Sequence, residues 1–370
     1  MIFCGFKLRL NVVLLISLML VACTKEPQHI TVSNMDNVVL DYMDEHEYVG
    51  LAITAKQGGN LVFNRAYGYG DLDKKTKFTS QSVISLGSNI KTLTAAAILL
   101  LQEKELLSLS DTVDAHLKFD LKHGNKITLE DLLCHRSDLD DVYGGRGFSD
   151  YIWQEAFSET ELLVKLSTSQ HQPEVGQHYR YNNTGYLLLG QVIKDVTKQS
   201  LNQFFKENIF APTSSTQLHV VEDADLQIMA PAFENTGLVI TGYESPVNYR
   251  ITGGAGGYVG NLESHMTLFR EVFVGDLLSE KSKNTMINAC VNRDGEPLKN
   301  NLGQFSGLGL EIFSINDEMV YTRGGALNGY VSTVFYFPQR DLTVGIAGNT
   351  WAPLASLLHK LFKAGWHDSL

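Results

Sequence analysis

Cysteine is scarce in this chain: there are four, and Cys4 and Cys23 both stand at its beginning. Only Cys134 and Cys290 remain in the body. One pair cannot make a disulfide framework, and the two can either pair in an oxidising compartment or stay as buried thiols. The 11 histidines are scattered without close metal-ligand spacing, so the sequence implies no metal and no other cofactor. Basic runs are missing too. The net charge is -11, and the first 22 residues hold Lys7 and Arg9 but no acid, so their removal leaves the rest two units more negative. Such a surface disfavours nucleic acid as a partner. Proline is limited to 8 residues while 44% of the chain is hydrophobic, which excludes extended disorder and calls for a packed globular body. No internal repeat or low-complexity segment interrupts it. The apolar or small run from Val12 to Ala22 is too short to span a bilayer comfortably.

That run, preceded by Lys7 and Arg9, reads as an export signal. It ends Leu20-Val21-Ala22-Cys23, which resembles the lipobox of bacterial lipoproteins; the alternative is an ordinary secretory signal with an incidental cysteine. The resemblance implies a signal peptide over 1–22, acylation of Cys23, a tether over 23–33 and a single domain over 34–370. Acyl chains contribute about 0.8 kcal/mol per buried CH₂ and anchor a protein without a transmembrane helix. Thr24, in place of Asp, points by resemblance to an outer-membrane anchor facing the periplasm. The expected location is thus the cell envelope.

Residues 35–46 have amphipathic helical spacing through Met35, Val38, Val39, Tyr42 and Met43. Leu51–Ala55 and Leu61–Tyr67, parted by Gly58-Gly59-Asn60, predict a hairpin. Helical patterns follow near Leu129–Leu133, Glu159–Leu166, Gly185–Lys198 and Glu263–Val274. Strand alternation returns at Leu310–Ile315, Met319–Thr322, Tyr330–Phe337 and Leu342–Ala347, before a last helix from about Pro353 to Lys363. Strands at both ends with helices between them predict an α/β (α+β) fold: one antiparallel sheet flanked by terminal helices, beside a helical lobe. The site is expected in the cleft between them.

Ser88-Asn89-Ile90-Lys91 carries the chemistry. Ile90, Leu93, Ala97, Leu100 and Leu101 recur at roughly helical spacing, so Ser88 and Lys91 share one face at a helix N-terminus. Unpaired N–H groups and the helix dipole there favour developing negative charge, and a serine beside an amine can be activated without histidine. A capped helix with a solvated lysine would show the same four residues. Gly253-Gly254-Ala255-Gly256-Gly257 lacks the spacing and the lysine of a phosphate loop.

The chain resembles the serine β-lactamase and penicillin-binding protein superfamily, in its class C β-lactamase, DD-peptidase and esterase branch. Ordered blocks carry the resemblance: Ala66-Tyr67-Gly68-Tyr69-Gly70-Asp71, Gly87-Ser88-Asn89-Ile90-Lys91, Ile127 to His135, Tyr181-Asn182-Asn183-Thr184-Gly185-Tyr186, Ala255-Gly256-Gly257 and Gly307-Leu308-Gly309. It implies the β-lactamase/transpeptidase-like fold. Ser88, Lys91 and Tyr181 are then the catalytic residues, with Lys91 lowering the Tyr181 pKa by its charge. Asn183 binds the acyl side of the substrate and holds Lys91; it also suits the cap of the helix over Thr184–Thr197. The N–H groups of Ser88 and Ala326 form the oxyanion hole, with Gly325 keeping the strand open to ligand.

The third family motif is Lys-Thr-Gly or His-x-Gly, and here it is Arg323-Gly324-Gly325. An arginine offers a permanent charge and a planar fork for a substrate carboxylate but relays no proton. Two smaller departures read as structural: Asp138 replaces a glycine after His135-Arg136-Ser137, and Ser264 stands where an Asp caps the next helix. His135 reads as a packed residue. Two functions stay open. One is a cell-envelope serine hydrolase acting on a small-molecule or peptide amide, β-lactam or ester, including wall-derived peptides. The other is a low-turnover ligand-binding or regulatory lipoprotein that keeps the penicillin-recognition fold.

Overall fold

The computed structural model describes residues 32–143, 159–221, 228–233, 239–240, 252–352 and 354–366. The signal, Cys23 and most of the tether lie outside the described residues, as does the stretch from Gly144 to Ser158.

Helix α1 (Val32–Glu45) opens the described chain. The strands are β1 (Gly50–Gln57), β2 (Asn60–Asp71), β3 (Thr76–Lys77), β4 (Ile84–Ser85), β5 (His219–Val220), β6 (Ala232–Phe233), β7 (Val239–Ile240), β8 (Tyr258–Gly260), β9 (Phe305–Ser306), β10 (Glu311–Ile315), β11 (Glu318–Leu327), β12 (Tyr330–Phe337) and β13 (Leu342–Gly348). Eight of them form an antiparallel sheet in the order β3-β2-β1-β13-β12-β11-β10-β9, so strands from both ends of the chain meet where β1 pairs β13. Three hairpins close through two-residue turns with positive φ: Gly58-Gly59, Asn316-Asp317 and Asn328-Gly329. Those turns match the right-handed strand twist and pin the register, placing Arg323 opposite Val334 and Ala326 opposite Val331. β11 runs five residues past the Met319–Thr322 alternation because Gly324 and Gly325 hide the pattern while still pairing with Thr333 and Ser332.

One face of the sheet is covered by α1 and the last helix, Leu354–Lys363, with Met35, Val39, Leu357, Leu361 and Trp366 packed on Leu51, Ile53, Val344 and Ile346. The other face meets the helical lobe, whose core is α2 (Ile90–Glu103). Every α2 residue from Ile90 to Leu99 is buried, so this is a central helix rather than one with a single apolar face. Around it lie α3 (Leu129–Leu133), α4 (Glu159–Ser167) and α5 (Asn183–Thr197).

Two caps differ from the expectation. Asn182, not Asn183, caps α5 by accepting from Gly185 N, which releases the Asn183 side chain for other contacts. Asn261 caps the helix Leu262–Val274 by accepting from Ser264 N, so Ser264 lies inside its first turn. Asp138 adopts φ +51° and bonds His171 and Arg180, a turn role that an acidic side chain supports. Cys134 and Cys290 are joined as a disulfide.

Candidate active site

Ser88 stands in a tight helical turn, Gly87–Asn89, that leads directly into α2. Gly87 has φ +50°, and a Cβ there would press within 3.1–3.3 Å of the Ala326 backbone, so glycine lets the turn lie against β11. Gly325 does the same from the other side, since its Cβ would meet Leu86 O at 1.9 Å. Asn89 Nδ2 ties the turn down by donating to Leu86 O and to Ser332 Oγ on β12, both at 2.8 Å. The Ser88 backbone is thereby held beside Ala326 by close packing and by these hydrogen bonds.

One turn on, Lys91 is completely buried and its Nζ meets three oxygens: Ser88 Oγ at 3.0 Å, Asn183 Oδ1 at 2.9 Å and Ala255 O at 2.5 Å. Ala255 reaches it through the buried helical turn Gly253–Gly256. A Cβ on Gly254 would stand 2.7 Å from Tyr186 O, and Thr94 Oγ1 bonds Gly254 O at 2.8 Å, so the glycines bring a carbonyl to the lysine. Asn183 is oriented by Asp141, whose Oδ2 accepts from its Nδ2 at 3.1 Å.

Burial, and then the nearby Arg323 charge, push the Lys91 pKa well below the ordinary lysine value. A neutral amine has two N–H bonds and a lone pair. The oxygens of Asn183 and Ala255 can only accept, so they take the two N–H bonds, and the lone pair is left facing the Ser88 hydroxyl.

Tyr181 approaches Ser88 from the opposite side, its hydroxyl 2.9 Å from Ser88 Oγ, while 37% of the residue stays open to the cleft. The Tyr181 oxygen also accepts from Arg323 Nη2 at 2.8 Å. Burial raises the phenol pKa above its ordinary value, and the guanidinium is the first influence drawing it back. The expected lowering by Lys91 is therefore corrected: the cation that favours the phenolate is Arg323, in contact with the oxygen. His135 packs against Tyr181, Tyr186 and Tyr179, with ring centroids 4.6, 4.9 and 5.7 Å away. Its Nδ1 accepts from Asn182 N, and burial holds it neutral, well below its usual pKa. It props the Tyr181 ring and is a packed residue.

Arg323 is only 2% exposed. Its fork is used within the protein: Nε donates to Ser88 O at 3.1 Å, Nη1 to Glu311 Oε1 at 2.6 Å and Nη2 to Tyr181. The four groups thus form one donor–acceptor chain, from Arg323 through Tyr181 and Ser88 to Lys91. A cleft of about 840 Å³ opens over it, lined by Ser88, Tyr181, Asn183, Arg323, Gly325 and Ala326 among others. All seven expected protein positions other than Cys23 meet here. Sequence reading missed Glu311 and Asp141, which carry no motif, and the role of Ala255, whose block was noticed but whose carbonyl direction depends on the glycine turn. Among the described residues no group of His, Cys, Asp and Glu could hold a metal ion.

Known proteins share this arrangement of sequence and fold. The profile of the Beta-lactamase family matches residues 35–361. Penicillin-binding protein 4* of Bacillus subtilis is 29% identical over 181 residues, 48% of this chain and 39% of that protein. Protein flp of Staphylococcus aureus is 27% identical over 183 residues, 48% and 36% of the respective lengths. The matches thus span under half the length of those relatives. Among solved structures, the octameric penicillin-binding protein homologue from Pyrococcus abyssi superposes with a TM-score of 0.76 at 20% identity, covering 92% of this chain and 78% of that one. The D-amino acid amidase from Ochrobactrum anthropi SV3 gives 0.74 at 19% identity, covering 91% and 100%. These structural likenesses establish the β-lactamase/transpeptidase-like fold, an antiparallel sheet flanked by helices. With the family profile spanning nearly the whole described chain, the protein belongs to the Beta-lactamase family.

Proposed function

We propose that this protein is a serine hydrolase that works through an acyl-serine intermediate on an amide, lactam or ester carbonyl. The hydrogen-bonded chain from Arg323 to Lys91 carries this reading. In acylation, neutral Lys91 takes the Ser88 proton as Oγ bonds to the carbonyl carbon. The oxyanion rests on the N–H groups of Ser88 and Ala326, where each such donor contributes about 2.7–4 kcal/mol to the transition state. Tyr181 then protonates the leaving group as its bond breaks, which leaves a phenolate beside Arg323 and an ammonium at Lys91. In deacylation, the phenolate takes a proton from water, the hydroxide attacks the acyl carbon, and departing Ser88 Oγ recovers its proton from Lys91. The cycle closes with every proton returned. Arg323 never transfers a proton in this scheme; a permanent charge in contact with the Tyr181 oxygen stabilises the phenolate, so arginine suffices at the position.

Asn183 fits the acyl side of the substrate while holding Lys91, and Gly325 lets the Ser88 turn lie against the strand that carries Ala326. The family membership and the D-amino acid amidase neighbour support amide-type substrates as one class. The Leu20 to Cys23 segment supports attachment to the cell envelope through a lipid on Cys23, and Thr24 after it supports an outer-membrane anchor facing the periplasm.

The test is the intact mass of the purified protein after exposure to a penicillin, a fluorophosphonate and an activated ester. An adduct is expected with at least one reagent and absent in Ser88→Ala, because losing such a nucleophile costs about a millionfold. No adduct from folded protein with any reagent would replace the hydrolase by a ligand-binding role.

A further inference from the structure

Beside the reacting groups the cleft wall carries an ion pair. Arg323 and Glu311 are the charged side chains among its described lining residues. Each guanidinium nitrogen of Arg323 already donates inward, to Ser88 O, Glu311 and Tyr181. Glu311 sits at the start of β10, opposite Thr322, so the carboxylate on the neighbouring strand reaches the arginine at 2.6 Å. Its side chain is 14% exposed, and it is part of the cleft wall. The pair therefore presents an arginine whose charge is already matched, together with a carboxylate of the protein's own. A substrate carboxylate arriving beside the scissile bond meets the like charge of Glu311 and an arginine whose charge is already matched by it. The rest of the wall is uncharged, and it includes two exposed apolar residues, Leu302 at 76% and Trp351 at 55%. Leu302 is held at the tip of a firm turn, with Asn300 Oδ1 accepting from both Leu302 N and Gln304 N.

We propose that Glu311 is a specificity-determining residue: by occupying Arg323 it makes the site select acyl donors that carry no carboxylate next to the scissile bond. The inference rests on the hydrolase reading and names its substrate class, neutral esters or amides. Refusal of an anionic substrate here follows from a substitution compensated within the protein, since arginine at position 323 comes with a carboxylate that ties it down.

The experiment compares two thioesters with the same benzoyl acyl group, one leaving as thioglycolate and the other as thioglycolamide, followed by thiol release. The wild-type protein should favour the neutral amide by about tenfold or more in kcat/KM. Glu311→Gln, which removes the competing charge and keeps the shape, should shift that ratio toward the carboxylate substrate. Glu311→Asp, which keeps the charge, should leave the preference for the neutral substrate in place. A wild-type ratio near one, or in favour of thioglycolate, overturns the selectivity while leaving the hydrolase reading intact. An unchanged ratio in an active Glu311→Gln overturns the role of Glu311. Should that variant not fold, the wild-type ratio decides alone. No thiol from either substrate and no mass added at Ser88 overturns the hydrolase reading, and this inference with it.

Discussion

Two buried arginines, Arg136 and Arg323, sit in the same protein and do opposite things with their charge. Arg136 donates to Asp131 at 2.6 Å, to Glu130 at 2.7 Å and to the Val291 carbonyl. Asp131 also accepts from Arg293 and completes a capping box with Thr128 at the start of α3. Two cations face two carboxylates, beside the Cys134–Cys290 disulfide that joins the same two segments. That cluster is a brace between α3 and the chain around Val291. At Arg323 the ion-pair contact is Glu311 and another partner is a titratable phenol, while the nearby Lys91 touches only uncharged oxygens, with Asp141 one step behind Asn183. A balanced cluster keeps its protons and holds geometry. A buried amine with no carboxylate in contact loses its proton more readily, and that shift makes Lys91 available as a base.

Replacing Lys91 by Gln breaks the comparison most sharply, because it removes the buried amine that has no carboxylate in contact. A loss of about 10²–10⁴-fold in kcat/KM is expected, measured on any substrate that acylates Ser88. In the intact protein the acid limb of the kcat/KM profile should lie well below the ordinary lysine range, since Lys91 acts unprotonated and its pKa is depressed. Asp141 and Glu311 oppose that depression and Arg323 adds to it. For stability the sign is also definite: the unfolded chain protonates Lys91 more readily than the folded one, so this residue's contribution improves as pH rises toward the ordinary value. A profile with no such limb would remove Lys91 from the base role.

Asp131→Asn tests the brace. Removing one partner of a buried ion pair costs about 3–5 kcal/mol, here with two arginines left short of a carboxylate. Denaturant unfolding should show that loss, while kcat/KM of the folded fraction should change little. A selective fall in kcat with unchanged stability would mean the two clusters are not separate in function. The smallest expected effect is that of Cys134→Ala with Cys290→Ala. The bridge joins residues 156 apart, and its loss should lower stability by about 2–4 kcal/mol, again read by denaturant unfolding, without moving the pH profile.

Much of this was legible along the chain. The hairpin turns announced β1 and β2, and the Ser88–Lys91 spacing needed only one helical turn to become a contact of 3.0 Å. Tyr181 and Asn183 were visible through resemblance, but the cap of α5 was one residue out. Asn182 and Asn183 are the same residue type, and only the backbone at Asn182, extended at φ -146°, separates cap from helix. Pairing of Cys134 with Cys290 could not be read from spacing, because a bridge depends on where α3 and the segment near Val291 come together.

The sequence by itself determined the local pieces: which serine stands beside which lysine, where strands turn, and that position 323 carries an arginine with no proton to give. Tertiary structure decided what those pieces do. Glu311 reaches Arg323 from the adjoining strand, Ala255 turns its carbonyl to Lys91 from a glycine turn more than 160 residues away, and burial sets which groups hold protons. The physical reason is that bond geometry is local, whereas desolvation and Coulomb interaction depend on everything packed around a charge, which no stretch of sequence contains.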